Sequence, residues 1–264
     1  MILHIPHSST NTLHYTFDCD VNTELELLTD HRTDELFQHD DASRLVFPVS
    51  RLICDVERFE DDRQEPMAKV GMGVCYEKTT DGGSLRQVTV ASRQDILETY
   101  YRPHHERLTA MVDAELALNQ HALIIDCHSY PNEPLPCDQN QTVFRPDICI
   151  GTNGFHTPAV LANFTYYFFR DRGYTVAFNL PYSGCMVPTA HYRKNERVYS
   201  VMLEVNRNAY KDSLEPIKGV ISEWLCQILK EAAALEEVFD FDEQMTQMFL
   251  EGFRWQAEGD LLSE

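Results

Sequence analysis

The chain is 264 residues long and carries 42 Asp and Glu against 22 Lys and Arg, a formal net charge of −20. A surplus of that size argues against nucleic-acid and anionic-membrane partners and says nothing about fold. Hydrophobic content of 43% without a run of about 18 apolar residues predicts a soluble globular protein with no transmembrane span, and eight scattered cysteines without a CxxC pair fit a reducing cytoplasm.

Short apolar runs bounded by polar residues read as buried strands. They fall at 2–5, 44–47, 51–56, 72–76, 122–126, 147–151, 174–178 and 198–205. A helix is predicted from about Asn22 to Gln38, with Leu25, Leu28 and Leu36 near one face. Ser92 with Asp95 resembles a capping box opening a helix toward Leu118, with Pro103 as a kink or break. Thr157-Pro158 fits an N-cap followed by proline at the first helical position, and Gly173 fits the stop. Ser213 to Ala234 reads as a last amphipathic helix. The alternation predicts an α/β fold with helices on both faces of a mixed, mostly parallel sheet. One domain is expected over 1–234, followed by an acidic helical extension over 235–264. From Glu231 onward the only basic residue is Arg254.

Polar residues crowd the ends of these strands. Asp126-Cys127-His128-Ser129-Tyr130 follows Ala122-Leu123-Ile124-Ile125, and Pro6-His7-Ser8-Ser9 follows Ile2-Leu3-His4-Ile5. Ligands of open α/β sheets gather outside the carboxyl ends of strands, so two strand ends that each present a histidine suggest one shared metal site. Further clusters lie at Thr29 to Asp34, Arg51 to Phe59, Asn179 to Gly184 and Val201 to Arg207. Each has a plainer reading. Asp126 ties down a turn, and Asp30 and Asp34 form the solvated face of a helix. Glu57/Arg58 and Glu204/Arg207 are surface ion pairs of little weight. Tyr100 to His105 is a helix kink without ligands.

From His4 to about Tyr210 the chain resembles the N-formylglutamate amidohydrolase family. The matching stretches are Ile5 to Ser9, Asp30 with its helix, Ser50 to Arg58, Asp126 to Ser129, Asp147 to Thr152, Asn179 to Gly184 and Glu204 to Arg207, in that order. The resemblance implies a three-layer α/β/α sandwich related to the zinc carboxypeptidases and a zinc-dependent hydrolase. His128-Ser129-Tyr130 is similar to a ligand histidine of those enzymes in its HSY context, and Leu203-Glu204 to their strand-borne general base. Their HxxE motif is absent, because Thr10 stands three residues after His7. Many members of the family carry Asp-Leu-Asn-Arg where this chain has Asp55-Val56-Glu57-Arg58, and Glu60 to Arg86 also differs.

What the resemblance implies about the site follows residue by residue. His7, Asp30 and His128 would hold Zn2+ or another divalent metal, with Asp34 as the alternative carboxylate. Three protein ligands and an open position are usual for catalytic zinc. Asp126 would orient a ligand, Glu204 would act as general base toward zinc-activated water, and Arg58 would stabilise the oxyanion. Arg207, with Arg145, Tyr182, Ser183 and Gly184, would read the substrate. The implied reaction is cleavage of the amide of a small N-acyl amino acid. Foremost is N-formyl-L-glutamate, giving formate and L-glutamate at the end of histidine degradation. The rivals are a zinc carboxypeptidase or deacylase acting on another amide, and a binding protein that keeps the fold without catalysis.

Overall fold

The computed structural model describes residues 1–238, with side chains through Lys230. The chain divides into two compact units, Met1–Ser222 and Glu223–Glu264. The extension expected over 235–264 lies outside the described residues beyond its first four.

A six-stranded sheet organises the first unit. Its strands are β1 (Ile2–Ile5), β2 (Ser43–Val46), β3 (Ala122–Tyr130), β4 (Ile148–Gly151), β5 (Val176–Phe178) and β6 (Val198–Asn206). Their order across the sheet is β2-β1-β3-β6-β4-β5. The first four are parallel, β4 runs antiparallel to β6, and β5 is parallel to β4. The helices are α1 (Asn22–Leu28), α2 (Thr33–Leu36), α3 (Val90–Ile96), α4 (Arg102–Asn119), α5 (Ala159–Arg170) and α6 (Glu215–Val238). This is the expected α/β sandwich around a mixed, mostly parallel sheet. Among the described residues no helix is long and apolar enough to cross a membrane. All eight cysteines are free.

Successive residues of a strand point to opposite faces, so one face can be followed along the sheet. In register, Ile2 stands beside Ile124 and His4 beside Asp126, while His128 stands beside Glu204. Ile2 and Ile124 pack in one cluster with Leu108 and Val112 of α4. The same face therefore begins as apolar core under α4 and ends, toward the carboxyl edge, in four polar side chains. All four are buried. That switch from apolar to polar along one face positions the site.

Several predicted elements differ. Residues 51–56 and 72–76 form no strand. The first is a chain of turns closed by bonds such as Ile53 N–H to the Ser50 carbonyl, and the second holds only a Met72–Tyr76 bridge. Both runs are apolar because they are buried, and burial alone does not distinguish a strand from a packed turn. The helix predicted over 22–38 breaks between α1 and α2, where Arg32 takes a left-handed φ of +63°. The capping box is Thr89 with Ser92 rather than Ser92 with Asp95. Pro103 does not break the helix, since a π-turn over Leu97–Tyr101 joins α3 to α4 and absorbs the missing N–H. Thr157 does not cap α5; its hydroxyl donates to the Ser200 carbonyl.

Gly184, expected to approach a substrate, meets the protein itself. A Cβ built at Gly151 would lie 2.3 Å from the Gly184 carbonyl oxygen and 2.3 Å from Met202 Cε. Gly151→Ala is therefore expected to lower stability by about 1–3 kcal/mol, the usual cost of overpacking. Chemical denaturation checks this, and an unchanged midpoint would show that the end of β4 yields freely.

Candidate active site

β3 continues through Tyr130, so Asp126 and His128 sit within the strand, two residues apart on one face. His7 follows β1 through Pro6. The break between α1 and α2 releases Asp30 from helical geometry, and its N–H donates to the His7 carbonyl at 3.0 Å. Asp55 builds the next turn: its Oδ1 accepts from the Glu57 N–H at 3.1 Å, an Asx arrangement that presents Glu57 to the same space.

The side chains meet closely. His7 Nε2 donates to Asp55 Oδ1 at 2.9 Å. Its Nδ1 is buried without a hydrogen-bond partner, 3.6 Å from Asp30 Oδ2 and 3.8 Å from Glu57 Oε2. His128 Nδ1 donates to Asp30 Oδ2 at 2.9 Å. Its Nε2 lies 3.2 Å from both Glu57 Oε1 and Asp126 Oδ1. Asp55 Oδ2 accepts from Tyr76 Oη at 2.6 Å and Arg51 Nη2 at 2.8 Å, with Arg58 Nε 3.3 Å away.

The electrostatics follow from these distances. Burial pushes His7 down, and Arg51 adds to this, but Asp55 and Asp30 outweigh both and raise its pKa. Burial opposes a charge on His128 also, yet Glu57, Asp126 and Asp30 raise it well above its ordinary value. Asp55 is held well below the carboxylate range, because Arg51, His7 and Arg58 overcome its burial. Glu204 behaves oppositely. Burial pushes its carboxyl up to about 8 against the pull of His128, and its Oε2 has no partner.

A cavity of about 740 Å³ opens over this cluster, lined by His7, Asp30, Glu57, Arg58, His128 and Glu204. Tyr182, Ser183 and Arg207 also line it. Arg207 Nη1 donates to the Glu26 and Leu27 carbonyls at the end of α1, at 3.1 and 2.9 Å, and its Nε is buried without a partner. Four expected residues are not among the lining. Arg145 donates to Asp138 Oδ2 at 3.1 Å and lies 5.7 Å over the Tyr182 ring, so it supports the wall from behind. Gly184 packs on Gly151. Asp126 is buried against His4 and His128, and Asp34 belongs to α2.

Glu57, Asp55, Arg51 and Tyr76 join the site although the sequence assigns none of them a role there. Glu57 was open to reading as a surface partner of Arg58, but its side chain is 16% exposed and faces imidazoles, while Arg58 turns to Asp55. The available signal was the pair Asp55-x-Glu57 at the end of a buried run, a spacing shared with Asp126-x-His128.

Fold and site together define an α/β enzyme whose imidazole and carboxylate cluster lies at the carboxyl edge of its parallel strands. The model of the N-formylglutamate amidohydrolase family matches residues 1–211. The chain belongs to that family, and so to the hydrolases that act on amide bonds. Among solved structures it is similar to an N-formylglutamate amidohydrolase from Ralstonia eutropha JMP134, at 22% identity and a TM-score of 0.79, over 87% of this chain and 92% of that one. It is also similar to a gene product of Agrobacterium tumefaciens, at 16% identity and a TM-score of 0.61, over 89% and 91% of the two chains. No curated protein matches it.

Proposed function

We propose that the chain is a metal-dependent amidohydrolase that cleaves the amide of a small N-acyl amino acid, with N-formyl-L-glutamate as its substrate, to formate and L-glutamate. The observation that carries this reading is His7 Nδ1, a buried imidazole nitrogen with no partner near the carboxylates of Asp30 and Glu57, in a cavity also lined by Glu204, whose Oε2 is unpaired. Buried polar atoms without partners are rare and costly. Here they face one cavity, as the donors of a metal site do before the ion is bound.

The residues fit a metal. Atoms of His7, Glu57 and His128 lie within 4.8 Å of one another. Metal-binding histidines give their other ring N–H to a carboxylate, and both do so here: His7 to Asp55 and His128 to Asp30. We therefore assign His7 Nδ1, His128 Nε2 and Glu57 as ligands, and Asp30 as the group that orients His128. His and carboxylate donors suit zinc, and also iron, cobalt or manganese. Such an ion would polarise the scissile carbonyl and acidify a water molecule.

The remaining chemistry belongs to the chain. Glu204 accepts a proton from the attacking water and passes it to the leaving amine. Its raised proton affinity suits both halves of that exchange. Arg58, whose Nε is buried without a hydrogen bond, donates to the developing oxyanion. Arg207 is fixed at the end of α1 and offers its free Nε to a substrate carboxylate.

Formate release from N-formyl-L-glutamate by metal-loaded protein tests the reading, and a chelator is expected to abolish it. Metal-bound protein that releases no formate would remove this substrate, and release of a C-terminal amino acid from a peptide would favour a carboxypeptidase. The ligand assignment has its own test. Asp30→Asn is expected to weaken metal binding about 10–100-fold, as loss of an orienting carboxylate does, and Glu57→Gln to weaken it further. Competition with a chromophoric chelator measures both. The reverse order would return Asp30 to the ligands.

A further inference from the structure

We propose that this site takes a second divalent cation, held by His4, Glu57 and Asp126 and sharing Glu57 with the first. The proposal rests on the first metal position assigned under Proposed function.

His4 is fully buried on the same sheet face as Asp126 and His128. Atoms of His4, Glu57 and Asp126 lie within 4.8 Å of one another. His4 Nδ1 is 2.8 Å from Asp126 Oδ1 and 3.7 Å from Glu57 Oε1. The two oxygens of Glu57 diverge: Oε2 is 3.8 Å from His7 Nδ1, and Oε1 is 3.2 Å from His128 Nε2 and 3.7 Å from His4 Nδ1. One carboxylate thus faces both groups of donors, as a group shared by two ions must. Two-metal hydrolytic sites keep their ions about 3.5–4 Å apart, which requires such a common wall.

The outward atoms of this second group are already held. Asp126 Oδ2 accepts from the Met186 N–H at 2.8 Å, which leaves Oδ1 facing inward. His4 Nε2 is 2.9 Å from His104 Nε2, which leaves Nδ1 facing Asp126 and Glu57. A structural pair of His4 and Asp126 would explain one hydrogen bond. It would not explain why the half-buried Glu57 also turns Oε1 to 3.7 Å from the same imidazole, since two carboxylates drawn to one site repel each other unless a cation lies between them. One nitrogen and two carboxylates form a donor set suited to manganese, cobalt, iron or zinc.

The experiment is to saturate the full-length protein with Mn2+, remove unbound ion by gel filtration, and measure metal per chain together with the electron paramagnetic resonance spectrum. Two ions per chain with an exchange-coupled spectrum are expected, falling to one uncoupled ion in His4→Gln. One ion per chain in the unmodified protein overturns the proposal, as do two uncoupled ions or two ions retained in His4→Gln. If His4→Gln does not fold, the spectrum of the unmodified protein still decides. The hydrolase reading fails separately: two coupled ions without formate release would overturn the reaction and leave the site. Formate release by protein holding one ion would do the reverse.

Discussion

Glu204→Gln is expected to keep its metal and lose about 10²–10⁴-fold in kcat, the range attributed to a positioned general base. The substitution preserves shape and removes only the ability to take a proton. Its structural cost is small for a specific reason. Oε2 of Glu204 has no hydrogen-bond partner, so no network is broken. Turnover should therefore fall without loss of metal content or of the thermal midpoint. Formate release set against metal per chain separates the two, and near-normal turnover would remove Glu204 as the base.

Glu204 was legible in the sequence because β6 is. Val198 to Val205 is long and mostly apolar, with three valines, and a lone carboxylate in such a run has few packing explanations. β1 and β3 were legible in the same way, and with them His7, Asp126 and His128. What the sequence hid was the backbone between the strands. The run from Leu52 to Val56 is as apolar as a strand, yet its amides are satisfied within turns anchored on Ser50. With that turn unseen, Glu57 looked like the solvent-facing end of a strand. The helix break that frees Asp30 was hidden differently. The leucine spacing of Leu25, Leu28 and Leu36 continues across a helix that stops at Leu28. The spacing survives because Leu28 and Leu36 are both buried, one in each short helix. Neither break carries a glycine or proline, so no local signal marked it. The site depends on these irregular segments, whose conformation is fixed by tertiary contacts such as the Asp30 N–H to His7 carbonyl bond.

Asp55→Asn is expected to be the most damaging single change away from the metal ligands. Asp55 is fully buried. It accepts from His7, Arg51, Tyr76 and the Glu57 amide and lies 3.3 Å from Arg58 Nε. An asparagine keeps one acceptor oxygen and turns two N–H donors toward groups that are themselves donors. Two guanidinium groups then lose the carboxylate that balances them, and breaking a buried pair of this kind costs about 3–5 kcal/mol. His7 loses the acceptor for its Nε2–H, which should weaken metal binding about 10–100-fold in protein that remains folded. The turn that presents Glu57 loses its anchor at the same time. A urea midpoint measured without metal isolates the stability cost, and a metal titration below that midpoint isolates the effect at the site. A stability loss below about 1 kcal/mol would put Asp55 among solvated surface pairs. Weakened metal binding at unchanged stability would instead confine its role to orienting His7.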